Sequence, residues 1–495
     1  MATRLSRALG ASAICALIAT TGAFAQDKPF AGVTVNLLTR PGDVIAKRLA
    51  ERGVEFEAMT GGKIVVNEVP FAELFQKIQT DWSTGTNSVD VGVFAAGWAV
   101  ELDAAGLLED LTPYVDADPL IDMADIAPYF REINQKINGK TKLITIDGDF
   151  QMIYYRTDIL SAAGLQAPRT WEEYLSNAKA LNGQDMNGDG VADYGSCIFK
   201  KRNAQSYFAI STVAAGAVQS KGTAEGLFFD LETMKPKINN EAWKAAFELF
   251  KATGEYGPPE ELNQDIGDTR GLVKSGRCAQ VIDWGDIGPI SIEADATAIK
   301  DKMYAAINPG WTSVLDNATG KMVACDATTC PYAVDGVNYS PFGAFGGWAG
   351  AINAKSDQKV KDAAYAFLSY MNQAAQSNVD VTIGWTGYNP YRNSQLDDTA
   401  LWVKAGFGEA AAENYLGAIK ASLNNPNMSS DFRIPGAQQY SGVVLDTELA
   451  RYLAGEITVD EALTNIEAGW EDITDDLGRD NQLALYRASL GATNK

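Results

Sequence analysis

Two short stretches of this chain place carboxylates at the end of an apolar run. Leu143–Tyr155 reads Leu-Ile-Thr-Ile-Asp-Gly-Asp-Phe-Gln-Met-Ile-Tyr-Tyr, a strand-like run broken by Asp147-Gly148-Asp149. Gly276–Asp286 runs through Ala279, Val281 and Ile282 into Asp283-Trp284-Gly285-Asp286, again carboxylates and an aromatic at a strand end. Carboxylates desolvate at high cost in an apolar core, so both clusters should face water or a bound partner. Taken alone, Asp147-Gly148-Asp149 reads as well as a hairpin turn. Thr386–Arg392 sets Tyr388, Asn389, Tyr391 and Arg392 beside Gly387 and Pro390, which excludes regular structure and exposes groups suited to recognition.

Other chemistry is bounded by what the chain contains and lacks. It has no histidine among its 495 residues, which removes Ser-His-Asp and Cys-His catalysis and every zinc site built on imidazole. Residues 185–193, Asp-Met-Asn-Gly-Asp-Gly-Val-Ala-Asp, match the first nine positions of a calcium loop, with Asp185, Asn187, Asp189, Val191 and Asp193 as possible ligands. Position twelve is Ser196 instead of the bidentate glutamate, so a metal-free Asx-Gly turn is the better reading and a structural calcium the sharper one. No cofactor is otherwise implied.

Arg4 and Arg7 precede an apolar run from Ala8 to about Ala19 and the small residues Ala23 and Ala25 around Phe24, the pattern of a secretory signal peptide over residues 1–25. Cys15 has Ile14 before it, where a lipoprotein site needs a small residue, so no lipid anchor is expected. Elsewhere no run approaches the roughly 20 apolar residues that span a bilayer, so no membrane insertion is expected. Loss of the leader's two arginines takes the formal net charge from −22 to −24, a balance that repels nucleic acid and anionic membranes. Cys197, Cys278, Cys325 and Cys330 remain, and in an oxidising compartment they imply two disulfides, most simply Cys325–Cys330 and Cys197–Cys278, out of three possible connectivities.

The elements that must carry these groups alternate. Residues 33–38 form a strand; a helix follows with Ile45, Leu49 and Phe56 on one face, then a strand over Lys63–Val69. Phe71, Leu74, Phe75, Ile78 and Trp82 mark an amphipathic helix, and Val89–Phe94 a third strand. This alternation predicts an α/β fold with a mainly parallel, doubly wound sheet, and about 470 residues exceed one core. Ligands collect at the carboxyl ends of such strands, so Trp98, just past the third strand, is a candidate site wall and equally a candidate core residue. Thr170 before Trp171-Glu172-Glu173 is a helix cap, and Val459, Ala462, Leu463, Ile466, Trp470 and Ile473 are the core face of the last long helix.

Several segments together resemble a known family. Phe56–Gly61, Ala105–Leu111, Tyr154–Leu160, Ala163–Leu165 with Thr170–Glu173, Ser275–Ala279 and Gly346–Asn353 occur in the order found in the periplasmic sugar-binding proteins of bacterial ABC importers, extracellular solute-binding family 1 of the maltose-binding-protein type. The resemblance implies a two-lobed periplasmic-binding-protein fold, two doubly wound sheets joined by a multi-strand hinge. By position, crossings fall near Ile144–Asp149, Lys302–Ala306 and Tyr370–Ala374. They divide the chain into lobe 1 (27–143 and 302–370) and lobe 2 (144–301 and 371–495). The ligand set it implies is Trp98, Asp147, Asp149, Trp284, Asp286, Trp348, Tyr388, Asn389 and Arg392. These types suit hydroxyl pairs and the C–H faces of sugars.

The implied function is a periplasmic solute-binding protein, not an enzyme, that captures a carbohydrate or polyol between its lobes. It would act as a monomer, delivering the ligand to ABC transporter permease subunits. Two alternatives use the same carboxylates: a polyamine or other cationic ligand ringed by Asp147, Asp149, Asp283 and Asp286, and a secreted glycosidase with Asp149 and Asp286 as acid and base.

Overall fold

The computed structural model describes residues 28–492. The signal-peptide reading and Cys15 lie outside the described residues. Strands β1 (Thr34–Thr39), β2 (Lys63–Glu68) and β3 (Val91–Ala95) are parallel, with Thr34 facing Lys63 and Leu37 facing Val91 in register. Helices Arg48–Thr60 and Phe71–Thr84 connect them, and the second buries Leu74, Phe75, Ile78 and Trp82, the stripe expected from the 3.6-residue period. β3 is buried along its whole length, as expected of a strand covered on both faces.

β4 (Ile144–Thr145), β5 (Met152–Arg156), β6 (Gln280–Asp283), β7 (Met303–Ala306) and β8 (Trp348–Ile352) complete two sheets. The first has the order β2-β1-β3-β8-β4, with β8 antiparallel to both neighbours. The second, β6-β5-β7, is antiparallel throughout, where a doubly wound parallel sheet was expected. β5 is separated from both of its partners by a long excursion instead of a single crossover helix, so nothing constrains the pairs to run parallel.

The neighbours of Asp147-Gly148-Asp149 therefore belong to different sheets: β4 pairs with β8, and β5 pairs with β6 and β7. A hairpin turn is excluded, because the strands on either side do not pair with each other. Thr170 caps the helix Trp171–Leu181, accepting from the Glu173 N–H at 3.2 Å. Helix Val459–Asp476 buries Ala462, Leu463, Ile466 and Trp470. Both disulfides pair as in the simplest connectivity, Cys197–Cys278 and Cys325–Cys330. The first ties the loop before Ile198 to the start of β6, closing a separation of 81 residues.

Candidate functional site

Residues Ile146–Gln151 pass from one sheet to the other. The Ile146 N–H donates to the Trp348 carbonyl at 3.0 Å and the Gly148 N–H to the Asn389 carbonyl at 3.1 Å. The Asp147 carboxylate accepts from the backbone N–H of Asn389 at 2.5 Å and of Trp348 at 3.2 Å. Asp147 thus ties three distant segments together at the crossing. Gly148 does not have a φ in the left-handed region. What it supplies is room, since a Cβ there would sit 2.6 Å from the Pro390 carbonyl oxygen.

Asp149 and Asp286 meet on one amide: Asn389 Nδ2 donates to Asp149 Oδ1 at 3.0 Å and to Asp286 Oδ2 at 3.2 Å. Arg270, from helix Ile266–Lys274, forks between Asp283 at 2.7 Å and Asp286 at 2.7 Å. Burial opposes the Arg270 charge, but the two carboxylates more than restore it and raise its pKa. Burial also pushes Asp283 up, partly offset by Arg270, to about 6. Asp147 has no such cation. Burial, then the charge of Asp286, pushes it up to about 7. Asp149 is raised well above the ordinary carboxylate range by burial and then by Asp147 and Asp286.

These groups border a cavity of about 20 Å³, lined among others by Arg40, Asp149, Gln205, Arg270, Trp284, Asp286 and Trp348. That is room for roughly one water molecule. The walls are shut on each other, and any polyol-sized ligand requires them to part. Trp284 stacks on Phe199 with centroids 5.4 Å apart and donates its indole N–H to the Ala344 carbonyl at 3.2 Å. Trp348 packs against Phe345 at 4.9 Å.

Of the sequence-predicted site residues, Asp149, Trp284, Asp286 and Trp348 line this cavity, and Asp147 and Asn389 are bonded directly behind it. Trp98 lies among Phe71, Phe75, Phe94 and Phe345, one layer back from the cavity. Tyr388 is buried with its hydroxyl donating to the Ile45 carbonyl at 3.3 Å. Arg392 is fully buried, donating to the Ile121 carbonyl at 2.7 Å, Asn372 Oδ1 at 2.5 Å and Asp125 at 3.1 Å, so its guanidinium is committed to anchoring its own loop.

The proposed calcium ligands hold one another instead. Asp185 accepts the N–H groups of Gly188, Asp189 and Gly190, Asp189 accepts from Val191, and Asp193 accepts from Met186 and pairs with Arg277 at 2.8 Å. Among the described residues no three His, Cys, Asp or Glu side chains converge on a metal position.

Sequence reasoning missed Arg40, Gln205 and Arg270. Arg40 directly follows β1, and its Nε is buried without a hydrogen-bond partner. Burial and then Arg270 lower its pKa. The strand-end rule that selected Trp98 could have selected it. Gln205 and Arg270 carry no local signal, because only the packing of their helices brings them to the cavity.

Comparison with known proteins gives a consistent picture. Residues 51–407 match the family model described as bacterial extracellular solute-binding protein. A mannitol-binding protein of Pseudomonas aeruginosa is 26% identical over 305 residues, 61% of this chain, and the match spans only 60% of that relative's length. A probable amino-acid ABC transporter periplasmic-binding protein of Sinorhizobium fredii is 22% identical over 392 residues, covering 77% of this chain and 79% of the relative. Among solved structures, an ABC transporter solute-binding protein of Agrobacterium radiobacter in complex with ribitol superposes with a TM-score of 0.72 at 21% identity, covering 90% of this chain and all of that one.

Proposed function

The chain belongs to the bacterial extracellular solute-binding proteins, and from that premise we propose that it captures a polyol or small carbohydrate between its lobes. Members of the family are binding proteins, and among the described residues no helix is long and apolar enough to cross a membrane. The finer reading is export through the leader to the periplasm, action as a monomer, and delivery of the ligand to ABC permease subunits. No metal is needed for it.

The observation that carries the ligand class is the composition of the shut cavity. An unpartnered guanidinium donor, Arg40, faces the carboxylate acceptors Asp149 and Asp286 between the indoles of Trp284 and Trp348. A hydroxyl both donates and accepts, so neighbouring hydroxyls satisfy both walls while the indoles cover the C–H faces. A cation would meet both Arg40 and Arg270 on the cavity lining, which disfavours the polyamine reading. The mannitol- and ribitol-binding relatives support the polyol side of the proposal.

The hinge then runs through Ile146–Gln151. The division proposed from the crossings is 27–143 with 302–370 and 144–301 with 371–495, but Asp380 pairs with Arg48 and Arg52 and Arg392 with Asp125, so that stretch packs on lobe 1, while Lys321 pairs with Glu241 of lobe 2. Two short strands at these edges, β4 and β7, pair into the sheet of the other lobe. Closure brings Asp149 and Trp284 toward Arg40 and Trp348, and ligand shifts the population to the closed form. Calorimetry of the mature protein with ribitol, mannitol, other polyols, monosaccharides and short oligosaccharides tests this. Saturable binding of at least one is expected, and no heat with any of them overturns the assignment.

A further inference from the structure

A second cavity, of about 320 Å³, lies outside the cleft. Val100, Ile133 and Ile137 contribute one apolar wall from the chain before the Ile146–Gln151 crossing, and Leu485 and Leu490 contribute the other from the C-terminal helix. Arg433 also lines it and is only 7% exposed. Its Nη1 donates to Asn134 Oδ1 at 3.2 Å and its Nη2 reaches the Asn134 carbonyl at 3.5 Å, both neutral acceptors. Among the described residues it makes no ion pair.

The neighbouring acids are engaged elsewhere. Asp431 accepts the N–H groups of Phe345 at 3.1 Å and Phe432 at 2.8 Å. Glu132, on the cavity wall, is bound to Arg131 at 2.7 Å and Lys136 at 2.6 Å. A buried guanidinium without a counter-charge is costly, and its planar fork matches a carboxylate. Burial lowers the Arg433 pKa, with Tyr129 and Asp431 acting the other way without forming an ion pair.

We infer that this cavity is a binding site for a small organic carboxylate with an apolar body, the carboxylate on Arg433 and the body between the Val100–Ile137 and Leu485–Leu490 walls. The volume is at the lower end of small-molecule sites. Because the walls come from both sides of the crossing, an occupant holds both lobes in one arrangement. It therefore raises the affinity of the cleft for its own ligand, and the cleft ligand raises its affinity in return.

The test is thermal-shift titration and calorimetry of the mature protein with hexanoate and benzoate, against hexanol, hexylamine, acetate and sulfate. Saturable stabilisation by hexanoate or benzoate is expected, with none from hexanol or hexylamine. Arg433→Gln should weaken that binding roughly tenfold or more, as for a lost charged hydrogen bond. Ala488→Phe, which adds a ring to the cavity lining and keeps Arg433, should abolish it too. Equal shifts from hexanol and hexanoate, equal weak shifts from every anion, or unchanged binding in both variants would each overturn the inference. These readouts do not involve the cleft, so they stand or fall separately from the polyol assignment.

Discussion

The Asp147–Asp149 and Asp283–Asp286 clusters look alike in sequence, two aspartates around a glycine at a strand end, and the fold uses them differently. Asp283 and Asp286 share one guanidinium, Arg270, which keeps them paired while buried. Among the described residues Asp147 and Asp149 make no ion pair and accept from the Asn389 and Trp348 backbones and the Asn389 amide. The first cluster is an internally compensated ion pair. The second makes no ion pair among the described residues, and its Asp149, like Asp286, lines the cavity. A counter-ion elsewhere in the chain, and not the local motif, separates an acid pair held by an ion pair from one held by N–H donors.

The sharpest way to break this contrast is to remove the counter-ion. Arg270→Met should cost about 3–5 kcal/mol of unfolding free energy, because it leaves two buried carboxylates without a cation. Urea denaturation reads this, and a loss below about 1 kcal/mol would mean that Asp283 and Asp286 behave like the other cluster. Asp149→Ala should instead weaken ligand binding by about 1–3 kcal/mol while leaving the fold intact, measured by calorimetry alongside melting. Unchanged affinity would detach Asp149 from the ligand.

Titration sharpens the contrast further. Asp147 is pushed up to about 7 from an ordinary 3.8, so the folded protein holds a proton that the unfolded chain has released. Its contribution to stability is therefore present at low pH and is lost as pH rises from about 4 to about 7. Asp147→Asn should flatten the melting temperature across that window. Asp283, at about 6, has the same sign over a narrower range. The smallest effect is expected at the 185–193 loop, where added calcium or a chelator should leave the melting temperature unchanged. A saturable calcium shift would show that its carboxylates can be drawn off their backbone donors.

The sequence was most readable where periodicity and burial coincide. The stripe Leu74, Phe75, Ile78 and Trp82, the Thr170 cap and the core face of Val459–Asp476 follow from local rules and stand as expected. Arg392 shows the limit. Its exposed-looking loop context suggested recognition, yet the backbone of Ile121 and Asn372 absorbs its donors. Trp98 shows another limit, since a tryptophan after a strand serves a wall or a second layer equally well until Phe71 and Phe345 are seen beside it.

By itself the sequence determined the class of the protein: alternating α and β elements, four cysteines suited to two bridges, no histidine, and acids concentrated at strand ends. These follow from composition and from neighbours within a few residues. Only the tertiary structure decided that Asp147-Gly148-Asp149 is a crossing and not a hairpin, that Arg270 neutralises Asp283 and Asp286 across 13 and 16 residues, and that Arg40 lines the same cavity as Asp149 and Asp286 from the end of β1. The reason is physical. Whether a buried charge is a strut or a receptor depends on which opposite charge lies within a few ångströms, and chain folding, not chain order, sets that distance.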